Sequence, residues 1–281
     1  MKISDIRGTF ELHNGVPMPY FGLGVFLMKD GDEVIQAVKD ALSAGYIHID
    51  TASLYGNERG VGRAVATSEI PRKELFVTSK VWNSDQGYDS TLRAFDKSMK
   101  LLGFEYLDLY LVHWPVRGRY IETWKALERL YTEGRVRAIG VSNFLRHHLE
   151  DLLAHCQTVP MVNQMEFHPR LVQQKLIDYC SSHKIQYEAW SPLMQGKIFT
   201  IPELQVLASK YEKNIAQLVL RWSLQKGVIT IPKSVQKERI VSNAQIFNFE
   251  ITAEDMLTID GLDKNERIGA DPDNFNFRQG K

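Results

Sequence analysis

Short apolar runs alternate along the chain with longer segments whose apolar side chains recur at the helical period. The runs predict strands at residues 22–25, 46–50, 75–80, 107–113, 136–141, 161–165, 185–190 and 227–232. The periodic segments predict helices at residues 34–44, 60–66, 91–102, 124–131, 148–156, 174–182, 204–211 and 215–225. Strands and helices therefore alternate from one end of the chain to the other.

Two further apolar runs precede this alternation, at residues 9–12 and 16–18. They flank Asn14-Gly15, a pair suited to the positive φ angles of a type I′ turn. The pattern predicts a β-hairpin at about residues 9–18, which we expect to close the bottom of the structure that follows.

Eight strands alternating with helices in a chain of 281 residues, without a linker of low complexity, predict an α/β protein. The architecture expected is a single (β/α)8 TIM barrel spanning residues 1–281, with a C-terminal loop at about 264–281. A doubly wound sheet is the competing architecture. It is disfavoured because Gly22-Leu23-Gly24 lacks the third glycine of the dinucleotide-binding fingerprint and does not open a helix.

Charge and composition narrow the class of partner. Lys+Arg and Asp+Glu both number 34, so no excess positive charge attracts nucleic acid or an anionic membrane. No apolar segment reaches the length of a signal peptide or a membrane span. Cys156 and Cys180 are expected to be reduced packing residues, because a large domain needs no disulfide. We expect a cytoplasmic monomer that acts on a small molecule and binds no metal.

Polar side chains end three of the predicted strands. Asp50, Lys80 and His113 each terminate an apolar run, and Tyr55 lies in the turn after the first of them. If these runs are neighbouring parallel strands, the four side chains converge at the carboxyl end of one sheet. That end is where parallel α/β folds place their active sites.

These residue types together suit proton transfer to a carbonyl group. A tyrosine hydroxyl has an ordinary pKa near 10, so it is a poor proton donor unless a cation stabilises the phenolate. Lys80 can supply that cation, and Asp50 can keep a buried lysine charged. His113 is then free to orient a substrate oxygen. The pattern predicts a general-acid site in which Tyr55 donates the proton.

Five segments carry a family resemblance. They are Asp50-Thr51-Ala52-Ser53-Leu54-Tyr55-Gly56-Asn57-Glu58, Thr78-Ser79-Lys80-Val81-Trp82, Val112-His113-Trp114-Pro115, Gly140-Val141-Ser142-Asn143-Phe144 and Ile231-Pro232-Lys233-Ser234. In sequence, order and spacing they resemble the signature blocks of the aldo-keto reductases. The resemblance implies a (β/α)8 barrel that binds NADPH without a Rossmann fold and reduces aldehydes and ketones. It also places the family's catalytic tetrad on Asp50, Tyr55, Lys80 and His113.

The resemblance further implies a cofactor site. Ser142, Asn143 and Gln164 would bind the nicotinamide carboxamide, and Trp190 would stack on the ring. Lys233 and Arg239 would bind the adenosine 2′-phosphate, which favours NADPH over NADH. Many members have Glu before Asn243, where this chain has Ser242, so one adenine contact is expected to be weaker. The remaining cofactor positions implied are Gly24, Val25, Asp50, Ser191, Leu193, Ser234, Val235 and Asn243.

The substrate pocket is implied in the same way. Its walls would be Phe26, Trp82 and Trp114, beside Tyr55 and His113. Aromatic walls suit a small aldehyde, ketone or dicarbonyl with an apolar flank. The sequence ends soon after residues 271–277, as in a bacterial-type branch that includes diketogluconate, glyoxal and methylglyoxal reductases and resembles prostaglandin F synthases. We therefore expect an open, permissive pocket.

Other interpretations remain open. His147, His148, His155 and Cys156 could suggest a metal site, but no Asp or second Cys at ligand spacing completes a set, so solvated helix side chains are favoured. Glu166 and His168 could form an acid/base pair, although such groups more often fix a following loop.

Two alternative functions also remain open. An aldolase using Lys80 as a Schiff base needs a neutral amine, which Asp50 opposes. An NADPH-binding sensor or structural protein would keep the same site without significant turnover.

Overall fold

The computed structural model describes residues 3–275, and it begins with a hairpin of two antiparallel strands. β1 (Thr9–Glu11) pairs with β2 (Pro17–Pro19). The Leu12 nitrogen donates to the Val16 oxygen at 2.9 Å, and Gly15 has a φ of 83°. Asn14 does not adopt a positive φ, so the predicted type I′ turn is wrong. The connection is a three-residue loop in which Gly15 supplies the left-handed position.

Eight parallel strands follow, each hydrogen-bonded to the next strand in sequence. They are β3 (Leu23–Gly24), β4 (His48–Asp50), β5 (Phe76–Val81), β6 (Leu107–Val112), β7 (Val136–Ser142), β8 (Val162–Glu166), β9 (Gln186–Trp190) and β10 (Ile229–Thr230). A parallel bridge from Phe21 to Thr230 joins the two ends of the sheet. The Thr230 nitrogen donates to the Tyr20 oxygen, and the Gly22 nitrogen to the Thr230 oxygen, both at 3.0 Å. The predicted (β/α)8 barrel is confirmed, and the doubly wound sheet is excluded.

Helices surround this barrel. They are α1 (Asp32–Ser43), α2 (Glu58–Ala66), α3 (Tyr88–Leu102), α4 (Tyr120–Thr132), α5 (Arg146–Leu153), α6 (Gln174–Ser182), α7 (Pro202–Lys210), α8 (Ile215–Gln225), α9 (Lys237–Asn243) and α10 (Ala253–Asp260). Among residues 3–275, none of the helices is long and apolar enough to cross a membrane. Cys156 and Cys180 are both free thiols, as expected.

The helices α9 and α10 were not predicted from the apolar pattern. α9 is short and mostly exposed, and it is tied to the barrel by Tyr46, whose hydroxyl donates to the Ile240 oxygen at 2.9 Å. α10 begins at the cap Thr252, which accepts from the Asp255 nitrogen at 3.3 Å. Each helix buries one isoleucine, Ile240 in α9 and Ile259 in α10, and is otherwise held by polar contacts rather than by a long apolar face.

The barrel interior positions the functional side chains. β5 and β6 are buried along their whole length, so their polar residues must be satisfied inside the protein. Trp222 of α8 stacks on Phe167 at 4.7 Å between ring centroids, which closes the core beside β8. The carboxyl ends of all eight strands meet at one face, where the predicted site lies.

Candidate active site

The structure brings together the four side chains predicted at the strand ends. Asp50 ends β4, Lys80 lies near the end of β5, His113 follows β6, and Tyr55 ends the 3-10 turn Ser53–Tyr55. The Lys80 Nζ donates to Asp50 Oδ1 at 2.6 Å, to the backbone oxygen of Thr51 at 3.0 Å and to the Tyr55 hydroxyl at 3.4 Å. The rings of Tyr55 and His113 meet edge to face at 5.8 Å. The ammonium group therefore lies between a carboxylate and the tyrosine hydroxyl.

Burial and charge set the protonation states of this cluster. Desolvation opposes the charged form of Lys80, which is fully buried, but its acidic neighbours, the Asp50 carboxylate first among them, together more than offset it and the pKa is raised. Desolvation raises the pKa of Tyr55, and the positive charge of Lys80 offsets part of that rise. Burial and then Lys80 hold the pKa of His113 well below its ordinary value. At neutral pH the site contains an ammonium, a protonated tyrosine and a neutral imidazole.

Gln164 links this cluster to a buried carboxyl that the sequence analysis missed. The Gln164 Nε2 donates to Asp50 Oδ2 and to Glu188 Oε2, both at 2.8 Å. Glu188 is fully buried in β9, and its Oε1 has no hydrogen-bond partner within the described residues. Desolvation and the charge of Asp50 raise the pKa of Glu188 to about 8. An acidic residue in the middle of a predicted buried strand was the signal that could have found it.

The residues implied at the nicotinamide end form a hydrogen-bonded group. Asn143 has a φ of 64°, and its Nδ2 donates to the His113 oxygen at 2.9 Å. The Trp190 Nε1 donates to Asn143 Oδ1 at 2.9 Å, which fixes the plane of a partly exposed indole. The Ser142 hydroxyl donates to the backbone oxygen of Gln164 at 2.9 Å. Three strands thereby present polar atoms and an aromatic face at one side of the barrel mouth.

The remaining cofactor positions lie along the same strand ends. Gly24 pairs with Asp50 in the sheet, and the Val25 nitrogen donates to the backbone oxygen of Asp50 at 3.0 Å. Ser191 follows β9 with a left-handed φ of 54°, and Leu193 lies two residues beyond it.

The predicted phosphate segment, residues 233–239, begins beside β3 and ends in α9. The Gly24 nitrogen donates to the Pro232 oxygen at 3.2 Å, which places the start of this segment at the barrel mouth. Lys233, Val235 and Arg239 are exposed, and Ser234 is buried with its hydroxyl accepting from the Gln236 nitrogen at 3.1 Å. Within residues 3–275, Lys233 and Arg239 form no ion pair. Asn243 is buried in α9.

Aromatic rings surround Tyr55 and His113. Phe26 lies 5.0 Å from Tyr55, and Trp82 lies 5.0 Å from His113, measured between ring centroids. Phe26 is 46% exposed, as befits a residue at a pocket rim. Its loop is held by Asn57, whose Nδ2 donates to the Val25 and Met28 oxygens at 2.9 and 3.0 Å. Of the predicted pocket residues, Phe26 and Trp82 therefore contact the cluster, and Trp114 directly follows His113 in the chain.

The segment up to residue 275 crosses this face of the barrel. Glu166 accepts from the Ile268 nitrogen at 2.6 Å and from Gly269, and it contacts His168 at 3.0 Å. A Cβ on Gly269 would lie 2.4 Å from the Trp190 ring, so only glycine fits there. Glu166 and His168 thus fix a loop, as expected, but it is the C-terminal one.

Farther along this segment, Phe275 stacks on Trp114 at 4.4 Å between ring centroids, with 11° between the planes. The end of the predicted C-terminal loop, residues 276–281, lies outside the described residues and includes Phe277.

Asp273 joins two of the histidines that were weighed as metal ligands. Its Oδ1 lies 2.9 Å from His147 Nε2 and 3.5 Å from His148 Nε2. The Leu145 nitrogen donates to His148 Nδ1 at 3.2 Å, so the proton of the neutral ring lies on Nε2. Burial lowers the pKa of His148 to about 4, which keeps the ring neutral. A metal at Nε2 would break the bond to Leu145, so we interpret the group as a hydrogen-bonded latch.

The barrel and the cluster at its carboxyl face define a protein with the architecture of a TIM-barrel enzyme. The model of the family described as "Aldo/keto reductase family" matches residues 21–264. The chain belongs to the aldo/keto reductase family, and the predicted family is confirmed.

Relatives and a solved structure agree with this assignment. Glyoxal reductase of Bacillus subtilis is 55% identical over 98% of this chain and 99% of its own length. Methylglyoxal reductase DkgA of Salmonella typhimurium is 44% identical over 94% of this chain and 97% of its own length. The Bombyx mori aldo-keto reductase, solved in complex with NADP, has a TM-score of 0.87 and 35% identity over 94% of this chain and 95% of its own. These relatives confirm the predicted branch.

Proposed function

We propose that this protein reduces small aldehydes, ketones and dicarbonyls, including keto-sugars, to alcohols with NADPH, and that Tyr55 is the general acid. The observation that carries the proposal is the position of the Lys80 ammonium, 2.6 Å from Asp50 and 3.4 Å from the Tyr55 hydroxyl. A buried cation in that place stabilises a phenolate, so it supports proton donation by tyrosine.

Tyr55, Lys80, Asp50 and His113 have different roles in the reduction of one carbonyl group. NADPH, when bound, supplies the hydride to the carbonyl carbon. Tyr55 gives its proton to the oxygen, and Lys80 stabilises the phenolate that remains. Asp50 keeps Lys80 charged inside the barrel. His113, neutral because burial lowers its pKa, can donate a hydrogen bond to the same oxygen and orient it.

The residues at the barrel mouth fit the cofactor. The oriented face of Trp190 suits stacking on a nicotinamide ring, and Ser142, Asn143 and Gln164 offer polar atoms for its carboxamide. Lys233 and Arg239 are exposed cations, which suit the 2′-phosphate that NADH lacks. The NADP complex of the Bombyx mori relative supports this assignment. Gly24, Val25, Ser191, Leu193, Ser234, Val235 and Asn243 complete the proposed cofactor site.

The proposed substrates are small because aromatic rings wall the pocket. Phe26 contacts Tyr55, Trp82 contacts His113, and Phe275 stacks on Trp114, which directly follows His113 in the chain. The names of the glyoxal and methylglyoxal reductases support dicarbonyls as the first class to test. We also propose one domain over the whole chain, a monomer, and a cytoplasmic location without nucleic acid or membrane partners. One connected hydrophobic core supports the single domain.

The test is the loss of NADPH absorbance with methylglyoxal, an aromatic aldehyde and a keto-sugar, with NADH and Tyr55→Phe run in parallel. We expect turnover with NADPH, and a loss of about 10²- to 10⁴-fold in Tyr55→Phe because general acid catalysis contributes that much. NADPH affinity should stay nearly unchanged, as measured by fluorescence titration. Wild-type turnover in Tyr55→Phe would remove the role given to this residue.

A sensor or structural role is the second candidate, because an intact site permits catalysis without requiring it. Tight NADPH binding without turnover of any carbonyl would favour it. The aldolase alternative is disfavoured by the geometry, since the Asp50 carboxylate at 2.6 Å keeps Lys80 protonated and not nucleophilic.

A further inference from the structure

Glu188 lies at the end of a chain of buried polar groups that crosses the barrel. Lys80 bonds to Asp50, Asp50 accepts from Gln164, and the same Gln164 nitrogen donates to Glu188 at 2.8 Å. The two carboxyl groups come from β4 and β9, and Gln164 of β8 bridges them. Both hydrogens of the Gln164 amide nitrogen are therefore engaged by carboxyl oxygens.

The charges of these buried side chains do not balance if Glu188 is ionised. Lys80 is the cation beside Asp50, and the neighbouring His48 is neutral because burial lowers its pKa to about 3. His48 Nε2 lies 3.8 Å from Glu188 Oε1, beyond hydrogen-bond distance. An ionised Glu188 would be a second buried negative charge facing Asp50, supported by one amide.

We propose that Glu188 is a positioning residue that, as a neutral carboxylic acid, fixes the Gln164 amide so that its oxygen faces the nicotinamide carboxamide. The inference rests on the proposed function, because Gln164 is assigned to the carboxamide there. With Nε2 held by two carboxyl oxygens, Oε1 is the atom of Gln164 that can accept from the carboxamide NH2 group. The pKa of about 8 agrees with a neutral Glu188 at pH 7.

This arrangement makes turnover depend on pH through Glu188. The groups that face it are Asp50 and His48 of β4, Lys80 of β5 and Tyr55, with uncharged Gln164 on β8. β10 on the other side contributes the uncharged Ile229 and Thr230. Ionisation of Glu188 raises the pKa of Tyr55 further and makes it a weaker proton donor. Reduction should therefore slow as pH rises through about 8.

The experiment compares Glu188→Gln with Glu188→Leu, using NADPH and its 3-acetylpyridine analogue, in which the carboxamide NH2 is absent. One hydrogen bond should make the wild type bind NADPH about 3- to 10-fold more tightly than the analogue. Glu188→Gln keeps an oxygen for Gln164 and should retain this ratio. Glu188→Leu leaves Gln164 Nε2 with Asp50 Oδ2 alone of its two carboxyl acceptors, so the amide is held less firmly and the ratio should fall towards one. Glu58→Gln is the matched control, a buried glutamate bonded to Ser79 at 2.6 Å.

The pH profile of turnover gives a second measurement. Glu188→Gln cannot ionise, so its alkaline decline should move to higher pH than that of the wild type. A ratio in Glu188→Leu equal to the wild type, no discrimination by the wild type, or an unchanged pH profile in Glu188→Gln would overturn the inference. Equal losses in both variants would also overturn it, since they would mean that the negative charge is required. Failure of the wild type to bind NADPH would instead overturn the proposed function.

Discussion

Two parts of the candidate site are built in opposite ways. The interior chain, defined as Lys80, Asp50, Gln164 and Glu188, is at most 2% exposed at each residue. The basic segment, defined as residues 233–239, is mostly exposed and carries its charges in water. The first is held by short hydrogen bonds before any ligand arrives, whereas the second has free cations that a ligand can engage. The difference separates buried groups that the fold pairs with each other from exposed cations that the fold leaves in water.

The physical reason is the cost of burying charge. An ammonium inside the barrel is stable only with its carboxylate at 2.6 Å, so removing either partner leaves an unpaired buried charge. An exposed arginine is solvated with or without a ligand, so its removal changes the fold little. Substitutions in the interior chain should therefore affect stability and turnover together, and those in the basic segment should affect cofactor binding only.

The largest effect on stability is expected from Asp50→Asn, which leaves the Lys80 ammonium buried without its carboxylate. The free energy of unfolding should fall by about 3–5 kcal/mol, measured by urea denaturation at pH 7. Turnover should fall as well, because a buried Lys80 without its carboxylate tends to lose its proton, and a neutral amine does not stabilise the Tyr55 phenolate.

The double variant Asp50→Asn with Lys80→Met tests the same pair without an unpaired charge. It should recover much of the lost stability while remaining inactive. A loss of stability below about 1 kcal/mol in Asp50→Asn would mean that the buried Asp50–Lys80 ion pair contributes no more than an exposed ion pair does. Burial would then not distinguish the interior chain from the basic segment.

An intermediate effect is expected from Arg239→Ala in the basic segment. The dissociation constant for NADPH should rise by about 10- to 100-fold, because one charge-assisted hydrogen bond to the 2′-phosphate is lost. The constant for NADH should change little, and the unfolding transition should stay where it is. Equal effects on the two cofactors in fluorescence titrations would exclude the phosphate assignment.

The smallest effect is expected from Ser242→Glu, which introduces the residue that many family members have before the asparagine. Ser242 Oγ accepts from Asn214 Nδ2 at 3.1 Å at the surface of α9, so the change is tolerable. A new adenine contact should tighten NADPH and NADH alike, by about 2- to 10-fold. Tightening of NADPH alone would show that residue 242 acts on the phosphate instead.

Asp50, Lys80 and His113 were predictable from the sequence because each ends a short apolar run and parallel strands align their carboxyl ends, and Tyr55 because it lies in the turn after the first of these runs. Glu188 was not predicted because its partner Gln164 lies on a neighbouring strand and its effect depends on Asp50 across the barrel. Asp273 was missed for a similar reason, since it meets His147 and His148 only when the C-terminal segment folds back over α5. Helix α9 was not predicted because its seven mostly exposed residues show little apolar periodicity.

The sequence by itself determined the alternation of strands and helices that builds the barrel, the family, and which four polar side chains meet at the carboxyl face. These depend on local periodicity and on motifs contiguous in the chain. Tertiary structure alone decided which polar groups share a hydrogen bond, which oxygens stay unpaired, and which protonation states follow. It also decided that the segment from Ile268 to Phe275 crosses the barrel mouth. Pairing and desolvation depend on distances between residues far apart in sequence, and folding sets those distances.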